Sequence, residues 1–209
     1  MSAAVDGLSS PRSNPIAKVP EIMELISSQS WTQIIRKLQD EPSDAAILLD
    51  SSTGQSNLAI HETCKHQPPV AVVESLIQAN PSSVMAKGRQ GYLPIHFACS
   101  NGASKAVVAK LIEANPACVR SRDEHEQRLP LHVAAKRGAA QDVILTIMTY
   151  HPEGVYIRDS SGNTPMDYAK DLPSHRKMDV VKVLKQGPLL SAVSKAAMQR
   201  AAATESFRN

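Results

Sequence analysis

The sequence predicts an all-α fold in which pairs of helices stack on one another in a repeating array. Two sequence patterns recur with one period, prolines recur with them, and the apolar residues of each unit follow helical spacing. The composition agrees, because the 209 residues are 42% hydrophobic but only 3% aromatic. We therefore expect a core of small aliphatic contacts between helices.

The first pattern is a pair of Val or Ile residues with a large aliphatic residue four positions after the first. It starts at residues 72, 107, 143 and 180, with steps of 35, 36 and 37 residues. The second pattern starts at Leu58, Leu93, Leu129 and Thr164, with steps of 35, 36 and 35 residues. Two independent patterns with one period indicate a tandem repeat, in which each unit buries its apolar face against its neighbours.

Each repeat predicts two helices. Pro94, Pro130 and Pro165 suit the first position of a helix, where the missing N–H costs no hydrogen bond. Gly102 and Gly138 suit the end of this first helix, because glycine readily adopts a positive φ. The second helix, over residues 104–115 in one repeat, places four apolar residues on one face: Val107, Val108, Leu111 and Ile112.

Other residues predict where the second helices begin and end. Asn80 and Asn115 each precede a proline, and we expect them to end second helices in the left-handed conformation. Residues 30–39 predict the second helix of an N-terminal half-repeat, with Ser30 and Gln33 forming a capping box.

The segments LPIHFAC, LPLHVAA and TPMDYAK resemble the ankyrin signature T-P-L-H-x-A. The resemblance covers roughly residues 56–187 and implies an ankyrin-repeat solenoid of stacked helix–turn–helix units with projecting β-turn fingers. It implies about four recognisable repeats plus the N-terminal half-repeat. Leu replaces the usual Thr at residues 58, 93 and 129, which removes a side-chain cap worth about 1 kcal/mol each time. The repeats also exceed the family's length of about 33 residues, so we expect longer fingers.

We expect three parts in the chain. These are a disordered tail at 1–20, an ankyrin-repeat domain at 21–187, and a basic, Ala-rich helix or tail at 188–209. The domain divides into the half-repeat at 21–52 and repeats at about 53–87, 88–122, 123–160 and 161–187. The net charge of +3 lies in the two tails, so the neutral array does not predict nucleic-acid binding. The C-terminal helix either caps the last repeat or docks on another protein.

Few residues suggest chemistry. His61 with Cys64 and His96 with Cys99 have metal-ligand spacing, but the third repeat has Ala135 in the cysteine position. Local hydrogen bonding of the histidines and simple packing of the cysteines are the favoured alternatives. The polar run at 123–126 is expected to be a solvated loop. No nucleophile–base pair, Gly-rich phosphate loop or HExxH motif is present, so we expect no catalytic residue, cofactor or metal.

The sequence also bears on location. Three cysteines favour a reducing compartment, no apolar run approaches the ~20 residues of a membrane span, and the N-terminus does not resemble a secretory signal. We therefore expect a cytoplasmic or nuclear protein that is not secreted, does not insert into membranes and is a monomer on its own.

The resemblance implies a non-enzymatic module that binds a protein partner through its finger loops and the exposed face of its first helices. Tyr92 and Phe97 are the main candidates, because aromatic residues and Arg are enriched at binding hot spots. The alternative for both is packing against neighbouring repeats. The candidate residues by motif position are Lys87, Arg89, Tyr92, Phe97, Asn101, His125, Arg128, Lys136, Arg137 and Tyr168. The alternative function is an adaptor or regulatory subunit of a larger complex, docked through the C-terminal helix.

Overall fold

Each repeat contains a short first helix and a longer second helix. The structure is a computed structural model that describes residues 20–46, 48–49, 57–193 and 196. Within these residues the first helices are α1 (Pro20–Ser27), α3 (Ala59–Cys64), α5 (Pro94–Ser100), α7 (Pro130–Arg137) and α9 (Pro165–Lys170). The second helices are α2 (Trp31–Asp40), α4 (Val70–Ala79), α6 (Lys105–Ala114), α8 (Gln141–Tyr150) and α10 (Ser174–Leu184).

The helices form two layers. Each first helix contacts the first helix of the next unit, and each second helix contacts the next second helix. The N-terminal unit contributes α1 as well as α2. Two short strands, β1 (Leu48–Leu49) and β2 (Asn57–Leu58), pair antiparallel between the N-terminal unit and α3. The predicted all-α fold of stacked helix pairs is confirmed.

The core lies between the layers and between successive units. The apolar face predicted for α6 is fully buried, with Val107, Val108, Leu111 and Ile112 all at 0% exposure. On the first helices, Ala98, Ala134 and Ala169 are also fully buried. Because alanine has a one-carbon side chain, neighbouring first helices pack closely at these positions. The small residues of the chain therefore set the spacing of the layer that carries the fingers.

The first helices end as predicted, but the second helices do not. Gly102 and Gly138 have φ of +73° and +65°. Asn80 and Asn115 are extended, with φ of −145° and −155°, so the expected left-handed conformation is wrong. The following proline disfavours helical dihedrals in the residue before it, and a short 3-10 helix begins at that proline.

The capping box predicted for α2 is also wrong. Ser30 makes no side-chain bond to the N-terminus of α2, and its hydroxyl lies 3.0 Å from the hydroxyl of Ser28. The predicted loss of side-chain caps at the leucines does occur, since Leu offers no acceptor. A different residue satisfies the backbone there.

Buried histidines His61, His96 and His132 join each first helix to the following repeat. In each histidine, Nδ1 accepts a hydrogen bond from the backbone N–H of the leucine three residues earlier. The distances are 2.9 Å from Leu58, 3.1 Å from Leu93 and 3.1 Å from Leu129. Each Nε2 donates to a backbone carbonyl at one end of the next finger. The distances are 2.9 Å to Ala86 O, 3.2 Å to Arg128 O and 3.0 Å to Ile157 O. The backbone partners place the proton on Nε2, so the imidazoles are neutral and both ring nitrogens are used.

Asp167 stands in the histidine position of the last repeat. Its Oδ2 accepts the backbone N–H of Thr164 at 3.0 Å and the Thr164 hydroxyl at 2.7 Å. The Thr164 backbone bond and Lys170 hold the pKa of Asp167 well below its ordinary value. Thr164 and Asp167 thus form the reciprocal cap that the three leucines cannot form.

The fingers lie between a second helix and the next first helix, and we call them finger A (87–92), finger B (122–128) and finger C (158–163). They form a continuous stack through backbone bonds. The Glu124 N–H donates to Gln90 O at 3.0 Å, and the Ser160 N–H donates to Glu126 O at 2.9 Å. Gly91 lies at the contact between fingers A and B with φ +72°, while Gly162 on finger C has φ +81° and open space around it.

The chain is helical again at residues 187–193. Gly187 and Ser191 are buried, and Leu190 packs against the core. A Cβ at Gly187 would lie 2.8 Å from the Val155 side chain, so this segment rests directly on the last repeat. Residues 194–195 and 197–209, like the N-terminal tail as far as residue 19, lie outside the described residues.

The histidine links predict an acid-labile fold. Burial lowers the pKa of His96 from 6.5 to about 4, and it also lowers the pKa values of His61 and His132. The unfolded chain therefore binds protons below pH 6.5 that the folded chain does not, and stability is lost as the pH falls. For His96 alone the loss approaches about 3 kcal/mol near pH 4. The urea midpoint of unfolding should decrease as the pH is lowered from about 7 to about 4.5. This decrease should be smaller for His96→Asn, which has no imidazole to protonate at that position. A midpoint that does not change with pH would contradict the histidine links.

Two glycine substitutions separate backbone strain from finger contact. Gly162→Ala should cost about 1–2 kcal/mol, because alanine disfavours a positive φ. Gly91→Ala should cost more, because its Cβ would also lie 2.8 Å from the Glu124 backbone nitrogen. Urea unfolding of both variants measures the difference. Equal losses would show that the contact between fingers A and B adds nothing to stability.

Candidate functional site

The ten residues predicted to contact a partner lie on fingers A and B, on first helices α5, α7 and α9, and, for Asn101, in the turn after α5. The structure exposes half of them: Lys87, Arg89, His125, Lys136 and Arg137. Tyr92, Phe97, Asn101 and Tyr168 are half-buried. Arg128 is buried, with 6% of its surface exposed.

An aromatic cluster joins finger A to α5. The Tyr92 ring stacks on His96, with centroids 5.3 Å apart, and meets Phe97 edge-on at 5.5 Å. Phe97 also contacts His61 at 5.8 Å, and Lys65 Nζ lies 5.1 Å from the Phe97 ring centroid. Phe97 thus packs against the preceding repeat, Tyr92 packs against the first helix of its own repeat, and both side chains are partly exposed. Burial and the Asp123 carboxylate raise the pKa of Tyr92, so its hydroxyl is neutral.

A buried ionic network joins finger B to finger C and α9. Arg128 Nη2 donates to the Tyr168 hydroxyl at 2.6 Å, and Arg128 Nε lies 3.3 Å from Asp159 Oδ2. The Tyr168 hydroxyl donates to the same Asp159 oxygen at 2.5 Å, and Arg128 also pairs with Glu126. Burial opposes ionisation of Asp159, but the bonds from Tyr168, Asn163 and Arg128 hold its pKa below the ordinary value. The guanidinium of Arg128 is therefore used within the chain and is not displayed to a partner.

Two aspartates shape the fingers, and sequence reasoning missed both. Asp123 is fully buried, and its carboxylate accepts the backbone N–H groups of His125 at 2.9 Å, Glu126 at 2.6 Å and Arg128 at 3.1 Å. Asp159 accepts two N–H groups of finger C in the same way. Only part of the run at 123–126 is therefore a solvated loop. The signal was present in the 36-residue spacing of the two aspartates.

Cations flank the aromatic rings. Lys136 Nζ lies 5.4 Å from the Tyr168 ring centroid, and its pKa is lowered by burial and by Arg128 and Arg137. Lys87 pairs with Glu124 at 2.9 Å across fingers A and B, and both side chains are at least half exposed. Such an exposed pair adds little stability, so Lys87 can exchange its partner at small cost.

The cysteines and histidines are unsuited to chemistry. Burial raises the pKa values of Cys64 and Cys118 to about 12 and raises that of Cys99 as well, so the thiols stay protonated. Within the described ranges, no three His, Cys, Asp or Glu side chains lie close enough together to hold a metal ion. None of the described helices is both long and apolar enough to cross a membrane.

Comparison with known proteins agrees with this geometry. A family profile described as ankyrin repeats (many copies) matches residues 111–169. No curated protein matches the chain. Ankyrin repeats are generally protein–protein interaction modules, and the family is typically non-enzymatic. The matched segment runs from α6 to α9, where the fingers and helix pairs described above succeed one another, and the match supports an ankyrin-repeat protein.

Proposed function

We propose that the chain is a non-enzymatic interaction module that binds a protein partner across fingers A and B and the exposed faces of α5, α7 and α9. The observation that supports this best is the pair of half-exposed rings, Tyr92 and Phe97, held in place by contacts with His96 and His61. Rings that are already fixed lose little conformational entropy when a partner covers them.

The proposed contact residues follow from exposure. Arg128 acts indirectly, since its guanidinium holds Tyr168 and finger C in position. The other nine predicted residues supply ring faces, amide groups and positive charges: Lys87, Arg89, Tyr92, Phe97, Asn101, His125, Lys136, Arg137 and Tyr168. Aromatic rings with adjacent cations suit a polypeptide segment better than a small apolar ligand.

The side chains that most often act as bases or nucleophiles support a non-enzymatic role. Both nitrogens of His61, His96 and His132 are bonded to backbone groups, so these rings have no free nitrogen to accept a substrate proton. The three free thiols are buried and protonated at neutral pH. Free buried cysteines also support a cytoplasmic or nuclear location, and we propose that the chain is a monomer on its own.

One observation favours the alternative role as an adaptor or regulatory subunit. Leu189 and Val193 lie four residues apart on the C-terminal helix and are 70% and 67% exposed. Residues at this spacing share one helix face, so the segment that rests on the last repeat also displays an apolar stripe. This stripe suits docking on a larger assembly.

Charge-reversal variants of the full chain test both roles in crosslinked pull-downs from cell extract, read by mass spectrometry. Lys87→Glu/Lys136→Glu should reduce recovery of the principal partner by about tenfold, because it reverses two exposed cations of the proposed surface. Lys105→Glu/Lys182→Glu, which changes charge equally on exposed second-helix positions, should leave recovery unchanged. Loss with Leu189→Asp/Val193→Asp and not with the first variant would instead establish docking through the C-terminal helix.

A further inference from the structure

A groove of about 570 Å³ lies at the turns that join first to second helices, apart from the fingers. The turn after α5 and the turn after α7 form its walls. Its polar lining consists mainly of Gln67, Ser100, Asn101, Arg137 and Arg176. We call it the turn groove.

The turn groove lies between two successive turns, after α5 and after α7, that are not joined by a hydrogen bond among the described residues. Gln67 Nε2 donates to Asn101 O at 2.9 Å, which joins the turn after α3 to the turn after α5. Arg176 Nη1 donates to Arg137 O at 3.4 Å, which joins α10 to the turn after α7. Across the described residues, no hydrogen bond joins the turn after α5 to the turn after α7. Gly102 and Ala103 have no polar side chain that could reach across, so the space between these turns stays open.

The turn groove carries uncompensated positive charge. Two arginines line it, and none of its lining residues is Asp or Glu. No ion pair within the described part of the chain joins Arg137 or Arg176 to a carboxylate, and both side chains are exposed. By contrast, Lys37, Lys65, Lys87, Lys110 and Lys170 each pair with an acidic residue.

We infer that the turn groove is a second protein-binding site, which takes an acidic segment of a partner with its carboxylates on Arg137 and Arg176. A guanidinium binds a carboxylate through two parallel hydrogen bonds, which gives direction as well as attraction. The volume suits several side chains better than one small ion. The inference goes beyond the proposed finger surface, because the two surfaces share only Arg137 and Asn101.

Fluorescence anisotropy of the full chain with fluorescein-labelled hexaglutamate tests the inference at about 50 mM NaCl, where screening is weak. Arg137→Gln/Arg176→Gln should weaken binding about tenfold, the effect of losing two exposed charged contacts. Arg36→Gln/Lys182→Gln removes the same charge from exposed positions on α2 and α10 and should change affinity less than about twofold. The single variant Arg137→Gln, which leaves Arg176 bonded to the backbone of residue 137, should weaken binding without altering the thermal midpoint.

Four results would overturn the inference, and three of them concern the natural chain and the groove variant Arg137→Gln/Arg176→Gln. These are undetectable binding of hexaglutamate by the natural chain, equal weakening by the groove variant and the matched control, and unchanged affinity of the groove variant. The finger variant Lys87→Glu/Lys136→Glu separates the two surfaces. Stronger weakening by the finger variant than by the groove variant would place the acidic segment on the fingers, and this too would overturn the inference. Loss of partner recovery in the finger variant with unchanged hexaglutamate binding would support both sites independently.

Discussion

The array depends on a buried, neutral imidazole that has both nitrogens bonded to backbone. In His61, His96 and His132, one nitrogen satisfies the N-terminus of the residue's own first helix and the other satisfies a carbonyl beside the next finger. A buried polar group without a partner costs about 1–3 kcal/mol, so each ring removes two such costs at once. The same bonds fix one end of each finger relative to the first helix that precedes it. Local helix capping and the spacing of repeats are therefore one interaction.

The proposed interaction surface is supported by these links. Tyr92 lies against His96, and Phe97 lies against His61, so the exposed rings rest on the buried ones. Asp123 and Asp159 hold the finger loops in shape, since each carboxylate accepts backbone N–H groups of the finger in which the aspartate lies. The proposed surface thus owes its shape to buried polar groups. Variation at exposed positions can change what is bound without disturbing the frame.

Periodicity predicted the helices, their buried faces and the glycine turns, because these depend on spacing and on residues within one unit. Contacts between units could not be predicted in the same way. Arg128 was predicted to bind a partner because of its motif position, but it lies buried because Asp159 on finger C and Tyr168 on α9 offer it partners. Asn115 was predicted to be left-handed because asparagine tolerates that conformation. It is extended instead, because the following proline restricts its backbone dihedrals. Position in a motif predicts which side chains face outward, while charge and geometry across the interface decide which remain exposed.

The histidine links also give the array a direction. Each imidazole donates its proton toward the next finger, so loss of that finger leaves an unpaired ring N–H on the preceding first helix. Unfolding that starts from the C-terminal side therefore removes the acceptors of His132, His96 and His61 one after another. Asp167 interrupts this dependence, because a carboxylate caps its own helix and has no proton to donate onward. A histidine at that position would be needed for the same imidazole bond to continue into a further repeat.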